Sequence, residues 1–258
     1  FNEKIYYDYE LKYVISDFDQ NVLNISKNTK LEGLYQSEKY FFGDLAKLKK
    51  HIELDPKIIN STNVDKKICI LNIRGGEYKR HKKFMLRKKY WENAMNNFKN
   101  ISSVNDFLIV TDDFKYAKSL FPNLEIIHGD IQKCYATIFN CSNIIVSNST
   151  FSYFPCTTGL EKKIIAPMYW ARPIVNNGRW ISPANIYKDW IYQDKNYKLK
   201  TYSECLKIAL DTSNYYSKNY NILVNKKDIP KTGVLNFLTK KQKKIIKNIL
   251  GFIWPRIF

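Results

Sequence analysis

Between Ile68 and Pro167 the chain alternates short, unbroken apolar runs with longer segments whose apolar residues recur at helical spacing. Unbroken runs read as buried strands and the helical spacing reads as amphipathic helices. The predicted strands are Cys69–Ile73, Phe107–Val110, Leu124–Ile127, Ile144–Ser147 and Lys163–Ala166. The predicted helices are Leu86–Phe98, Lys115–Leu120, Ile131–Phe139 and Thr150–Leu160. The first sets Leu86, Tyr90, Ala94 and Phe98 on one face, and the second ends before Pro122, which cannot continue a helix. Strands without polar alternation are buried on both faces, and the intervening helices supply the crossovers that a parallel sheet needs. The pattern predicts an α/β fold with a Rossmann-type parallel-sheet domain over residues 63–190. The glycine fingerprint of dinucleotide-binding folds, GxGxxG, is not in this sequence.

The flanks are less regular. Residues 1–62 hold a strand-like stretch, Lys12–Ile15, and an amphipathic helix near Glu38–Glu53, which together predict a small N-terminal region. The chain opens on Phe1, not Met, so further sequence is expected upstream. Residues 191–258 are expected to form C-terminal helices. Tyr187–Lys200 reads as irregular, and Thr201–Tyr216 as a helix with Ser203 as its cap. In the tail, Val234, Leu235, Leu238, Ile245, Ile246, Ile249, Leu250, Phe252 and Ile253 fall on one side at the helical angle. Lys240, Lys241, Lys243, Lys244 and Lys247 fall on the other, and Trp254 and Pro255 come next. Two readings stand: a helix lying on anionic lipid, or one packed on the domain with its lysines in water.

The unusual polar residues cluster after the predicted strands. Arg74 follows the first, Asp112 and Asp113 the second, His128 and Asp130 the third, and Asn148–Ser152 the fourth. Open parallel sheets bind ligands at this carboxyl edge, so a site is expected there. The fourth turn, Ser147-Asn148-Ser149-Thr150-Phe151-Ser152, carries four hydroxyls in six residues where a helix cap needs one. Free N–H groups and the positive end of a helix dipole suit a phosphate. In the first turn, Arg74-Gly75-Gly76-Glu77 offers a planar cationic fork and two glycines that permit close approach of a ligand. Asp112 and Asp113 admit two readings, turn and cap residues or metal-binding carboxylates.

Composition narrows the partners. Apolar residues make up 45% of the 258, enough for a full core. The net charge of +18 draws polyanions: nucleic acid, anionic membrane or phosphorylated substrates. No helix-turn-helix, zinc-finger or RNP signature supports nucleic acid, which is therefore not an expected partner. The five cysteines have no CxxC spacing, and the three histidines no His-x₃-His spacing, so neither a disulfide framework nor a zinc site is expected. No apolar run has the length of a membrane span. The basic run Lys79–Lys89 reads either as a solvated helix face or as a rim that attracts an anionic substrate.

At these turns the sequence resembles family 11 of the glycosyltransferases, the α-1,2-fucosyltransferases. Asn72–Tyr78 is similar to a degenerate form of that family's His-x-Arg-Arg-Gly-Asp-Tyr motif. Asn148–Ser152 matches its Asn-Ser-Thr-Phe-Ser segment, and Ile164–Pro167 with Trp170 matches the stretch downstream of that segment. Leu34–Phe41 is similar to its Tyr-Trp-Gln-Ser-Glu-Lys-Tyr-Phe segment, so the likeness runs from about Lys30 to Trp190. The resemblance implies a GT-B-like fold with a small or truncated N-terminal acceptor-side domain, a GDP-sugar donor, inversion at the anomeric carbon and no metal. Carried over by position, Arg74 binds the donor pyrophosphate, with Asn72 beside it, and Ser149, Thr150 and Phe151 line the phosphate and nucleoside pocket. Asp130 is placed like the Asp that reads guanine in related α-1,6-fucosyltransferases. Departures are Asn72 for the family's His, Gly75 for its second Arg, Glu77 for its Asp, and Tyr153–Cys156 for its Trp-Trp-Gly. The family's glycine-rich N-terminal motif is expected to precede Phe1, or the N-terminal domain is reduced.

The expected function is transfer of L-fucose, or a related deoxysugar such as colitose, from a GDP-sugar to a glycan hydroxyl. An α-1,2 linkage in surface polysaccharide, O-antigen or lipopolysaccharide synthesis is expected, at the cytoplasmic face of a membrane holding a lipid-linked acceptor. Arg74 and the N–H groups near Ser149–Phe151 are expected to meet the charge on departing GDP. Glu77 is either the general base or a salt-bridge partner of Arg74. The rival readings are a non-catalytic homologue that binds a nucleotide sugar and a basic nucleic-acid-binding protein.

Overall fold

The structure is a computed structural model. It describes residues 54–169 without interruption, 18–31 and 185–219, and shorter pieces at 5–8, 13–16, 35, 37–40, 49–50, 181 and 222–223. Most of the helix expected near Glu38–Glu53, the whole tail over Val234–Ile253 and Trp170 lie outside the described residues.

Two short strands open the chain, β1 (Ile5–Asp8) and β2 (Tyr13–Ser16). Helix α1 (Pro56–Ser61) starts on Pro56 and is capped by Asp55, whose carboxylate accepts from the Lys57 N–H at 2.8 Å. The main body comprises β3 (Ile68–Ile73), α2 (Lys88–Ile101), β4 (Asp106–Thr111), α3 (Phe114–Leu120), β5 (Glu125–His128), α4 (Ile131–Asn140), β6 (Asn143–Val146), α5 (Thr150–Thr158) and β7 (Lys163–Pro167). It closes with β8 (Ile191–Gln193), β9 (Leu199–Lys200) and α6 (Tyr202–Asn219). A last strand, β10 (Ile222–Leu223), pairs antiparallel with β1, giving a three-stranded sheet in the order β10-β1-β2.

The large sheet has seven strands in the order β5-β4-β3-β6-β7-β8-β9. Strands β3 to β8 run parallel and β9 joins β8 antiparallel. Successive side chains of a strand face opposite sides, and both sides are covered. Ile70, Val110, Ile144 and Val146 meet Cys134 and Ile138 of α4 and Cys156 of α5. Leu71, Ile73, Ile109 and Ile145 meet Trp91, Ala94 and Phe98 of α2 and Ala117 of α3. All four residues of β6 are buried, as its unbroken apolar run requires.

The α/β reading and the five central strands stand, with ends moved by a residue or two. Tyr187–Lys200 is not irregular: it carries β8 and β9, which widen the sheet past residue 190. Gln193 sews β8 to α2, donating to the Tyr90 carbonyl at 3.1 Å and accepting from Asn97 at 2.8 Å. The cap of α6 is Thr201, not Ser203. Glu204 Oε2 accepts from the Thr201 N–H at 2.8 Å while the Glu204 N–H reaches Thr201 Oγ1 at 3.4 Å. That reciprocal pair is a capping box.

Candidate active site

Strand order reverses at one place. From β3 the chain steps outward through β4 and β5, then returns to lay β6 on the other side of β3. The crossovers leave this point in opposite directions, and the carboxyl ends of β3 and β6 are where an open parallel sheet of this topology forms its ligand crevice. Arg74 is the first residue after β3, and Ser147-Asn148-Ser149 come directly after β6, so the crevice lies between them.

Arg74 is fixed by the neighbouring strand. Ile73 is in register with Thr111, which places Arg74 beside Asp112. Asp112 Oδ2 lies 3.0 Å from Arg74 Nη1, and Asp112 Oδ1 accepts from the Gly75 N–H at 2.9 Å. One carboxylate thus holds both the guanidinium and the backbone of the turn. The guanidinium lies over the Tyr78 ring at 5.9 Å, its side chain is 20% exposed, and its Nε is buried with no partner among the described residues. Glu77 opens a short 3₁₀ turn, Glu77–Arg80, with Oε1 3.8 Å from Arg74 Nη2 and a side chain 69% exposed. It is open to solvent, beside the cation, on the turn where a base was expected. Asp113 is the cap of α3, accepting from the Tyr116 N–H at 3.0 Å and ion-paired to Lys79. Burial alone would raise its carboxyl, but Lys79 and the Tyr116 N–H hold it below the usual range. Asp112 and Asp113 are both spent on cationic or N–H partners. Among the described residues no cluster of His, Cys, Asp and Glu is arranged to hold a metal ion.

Across the crevice, Ser149 caps α5, its hydroxyl accepting from the Phe151 N–H at 3.3 Å. Thr150 is exposed on the first turn, and Phe151 is half-buried against Tyr135, with ring centroids 6.2 Å apart. Two phenols brace this end from the other wall: Tyr78 donates to the Asn148 carbonyl at 2.7 Å and Tyr90 to the Val146 carbonyl at 3.0 Å. Asn72, expected at the donor, is 1% exposed and lies behind the crevice. Its amide oxygen accepts from the Ser152 hydroxyl and its Nδ2 donates to the Val110 carbonyl at 3.4 Å. In this arrangement it is a strut between β3, β4 and α5.

Asp130 sits two strands outward. Gly129 adopts a left-handed φ of +87°, which turns the chain so that Asp130 caps α4, accepting from the Lys133 N–H at 3.0 Å. Asp130 is exposed, flanked by His128 and the exposed Ile131. Burial, reinforced by the charges of Asp130 and Asp112, pushes the Cys134 thiol up against the opposing pull of Lys133. In the basic run, Lys79 and Arg80 lie on the 3₁₀ turn and Lys88 and Lys89 open α2. The rest is loop, so the run is not one solvated helix face.

Beside α5 a small cleft with a cavity volume of about 30 Å³ lies at the ends of β6, β7 and β8. Ser147, Ser149, Tyr153, Met168, Tyr187 and Trp190 are among its walls. The sequence reading missed it because Tyr187 and Trp190 fall in the stretch taken as irregular. It also missed Asp112 as the partner of Arg74, a role visible only once β3 and β4 are in register.

Asp112→Asn tests that partnership. The amide keeps the shape but removes the charge opposite Arg74 and presents an N–H where an acceptor is needed. Loss of a charge-assisted hydrogen bond of about 1.5–3 kcal/mol predicts a fall in turnover of about 10–100-fold. Donor kinetics beside a melting curve check it: a fall in melting temperature with kcat unchanged would assign Asp112 to the fold alone.

A strand-end arginine opposite a helix N-terminus at the carboxyl edge of a parallel sheet is an arrangement compatible with a phosphorylated ligand. The profile of glycosyl transferase family 11 matches residues 2–194, which include both walls of the crevice and the cleft. No curated protein and no solved structure matches the chain significantly. Among the described residues no helix is long and apolar enough to cross a membrane. The family match spans most of the chain and agrees with its seven-stranded α/β sheet: this protein belongs to glycosyl transferase family 11, a family of glycosyltransferases that take a nucleotide-sugar donor and a glycan acceptor.

Proposed function

We propose that this glycosyltransferase is an inverting enzyme that moves L-fucose, or a close deoxysugar relative, from a GDP-sugar to a glycan hydroxyl. The observation that carries the reading is the crevice at the strand reversal, with Arg74 on one wall and the amino end of α5 on the other. A pyrophosphate lying in it meets the guanidinium on one side and N–H groups near Ser149–Phe151 on the other. As the acceptor hydroxyl attacks the anomeric carbon, negative charge grows on the departing GDP, and both walls strengthen their hold. Glu77, exposed beside Arg74, is the candidate that takes the proton of the attacking hydroxyl. An α-1,2 linkage in surface polysaccharide synthesis, with an acceptor held on an anionic membrane beside the basic tail, completes the reading.

The donor half is tested first by thermal stabilisation with GDP, UDP and ADP. GDP is expected to stabilise the protein and the other two much less, because a carboxylate accepts both adjacent N–H donors of guanine. Asp130 offers one: it has an oxygen beyond the one capping α4. Asp130→Asn places an N–H donor against a donor and is expected to cut the preference for guanine by about 10–100-fold. Equal stabilisation of the wild type by UDP and GDP would remove Asp130 as the base reader. GDP stabilisation without transfer to any acceptor would make the chain a non-catalytic homologue.

A further inference from the structure

We propose that the basic loop running from Lys79 to Arg87 is a docking surface for the acceptor, and that the acceptor is an acidic glycan. Its carboxylate or phosphate groups lie on the sugars next to the accepting residue. The proposal rests on the reading of Arg74 and Glu77 given above.

The loop is fastened to the far wall of the crevice. Tyr78 donates to the Asn148 carbonyl at 2.7 Å, and the Asn148 side-chain amide donates to the Phe84 carbonyl at 3.1 Å. One residue after β6 thus holds both ends of the stretch. Between those ends the backbone closes two tight turns. The His81 N–H donates to the Tyr78 carbonyl at 2.9 Å, and the Phe84 N–H to the His81 carbonyl at 2.8 Å. Phe84 is 6% exposed, with its ring centroid 6.0 Å from His81 and 6.2 Å from Tyr78. Farther on, the Leu86 carbonyl accepts from the Tyr116 hydroxyl at 3.1 Å. The side chains left outside these ties are the cations.

Their charge is only partly balanced. Residues 79–89 carry seven Lys and Arg and no Asp or Glu. The carboxylates nearby are already engaged: Glu77 and Asp112 with Arg74, Asp113 with Lys79, and Glu92 with Lys88. Lys89 lies over the Tyr197 ring at 5.4 Å. Arg80, Lys82 and Arg87 are exposed and have no partner among the described residues. Solvated surfaces ordinarily intersperse both signs, and a pinned segment of one sign repels itself until an anion arrives.

The position of the cations favours a glycan as that anion. Glu77 and Arg80 begin and end the same 3₁₀ turn. Residues three apart in such a turn eclipse one another, about 6 Å along its axis, roughly the length of one sugar ring. An acceptor hydroxyl at Glu77 therefore brings the adjoining sugar to Arg80, and the chain beyond it to Lys82. The guanidinium forks of Arg80 and Arg87 suit carboxylate and phosphate alike. The donor's phosphates are met by Arg74 and the amino end of α5, which leaves these cations for the other substrate. A membrane engages a broad face, whereas these charges stand on the turn that carries the candidate base.

The test measures transfer from GDP-L-fucose by the full chain to lactose, lactobionate and lactose 1-phosphate. The three share a terminal galactose and differ in the charge on the residue beside it. Both acidic acceptors are expected to show kcat/KM about tenfold above lactose at low salt, chiefly through KM, with the margin shrinking as salt is raised. A margin for one acid alone supports the proposal and identifies the group recognised. The double variant Arg80→Gln, Lys82→Gln is expected to hold the margin below about threefold, with GDP affinity within about twofold of wild type. If none of the three is turned over, their binding to GDP-saturated protein is measured in place of transfer, and the same margin is expected. A margin absent in the wild type, or intact in the double variant, overturns the proposal. So does a parallel loss of GDP affinity, which assigns the loop to the donor. Loss of pelleting with phosphatidylglycerol vesicles while the acceptor margin stays intact assigns it to lipid and overturns the proposal too. A wild type that binds no GDP sinks the donor reading, and the margin measured without GDP still decides this one.

Discussion

Arg74→Lys is expected to lower kcat by about 10²–10³-fold, the cost of losing one contact made chiefly in the transition state. The charge is conserved, so long-range attraction of the donor is retained and KM changes less than kcat. What is lost is geometry. The guanidinium holds Asp112 with Nη1 at 3.0 Å while other N–H groups remain for the ligand. An ammonium on a flexible stem cannot anchor to Asp112 and present a flat pair of donors to a phosphate at once. Melting temperature is expected to move little, because lysine still neutralises Asp112. In the same assay a chelator is expected to leave turnover unchanged, since Asp112 and Asp113 are held by Arg74, Lys79 and backbone N–H groups. Activity abolished by chelator and restored by manganese would sink the metal-free mechanism, and turnover of Arg74→Lys within tenfold of wild type would remove Arg74 from charge stabilisation.

Gly75→Arg restores by sequence the second arginine of the motif, and it is expected to damage the protein, not improve it. A Cβ at position 75 would lie 2.7 Å from the Asp113 Cβ and 2.8 Å from the Tyr116 ring, with the Asp113 carboxylate at 3.1 Å. The crowding atoms belong to a helix cap and to a ring whose hydroxyl is tied to the Leu86 carbonyl at 3.1 Å, so neither yields easily. Overpacking of this kind costs about 1–3 kcal/mol, or more. In a domain of this size each kcal/mol lowers the melting temperature by roughly 2–4 °C. The variant is expected to melt about 4–10 °C lower and to turn over more slowly, because the strain falls on the Asp112–Asp113 turn that orients Arg74. A stable variant with faster transfer would show that the missing arginine, not the packing, sets the rate.

The legible parts of this fold were those that one strand or helix specifies alone. Ile70-Leu71 and Ile144-Ile145-Val146 are apolar on both sides of the pleat, so their burial could be read without knowing their neighbours. Ser149 and Asp113 cap helices within three residues of themselves, so their roles were local as well. Asp112 was not legible, because its partners Arg74 and Gly75 become neighbours only through the β3–β4 register. Asn72 was legible in part. It lies two residues after Ile70, hence on the face covered by α4 and α5, and the period of two already aims it inward. Strand β8 was hidden because it is three residues long and is stitched to α2 by Gln193, a contact across just over a hundred residues of chain. The cleft was hidden with it.

The bracing of the crevice has a consequence for when its entropy is lost. Tyr78 ties the Arg74 turn to the Asn148 carbonyl, and Ser152 ties the first turn of α5 to Asn72 in β3. The two walls are thus held to one another by the protein before any ligand arrives. Their ordering cost falls during folding, so an incoming pyrophosphate does not have to gather a loose loop around itself. Such a slot is also slow to adapt: it keeps its width for a poor ligand as for a good one. Amide exchange in Arg74–Tyr78 and Ser149–Ser152 should therefore be nearly as slow in the empty protein as in the occupied one, with the change on binding confined to groups that touch the phosphates.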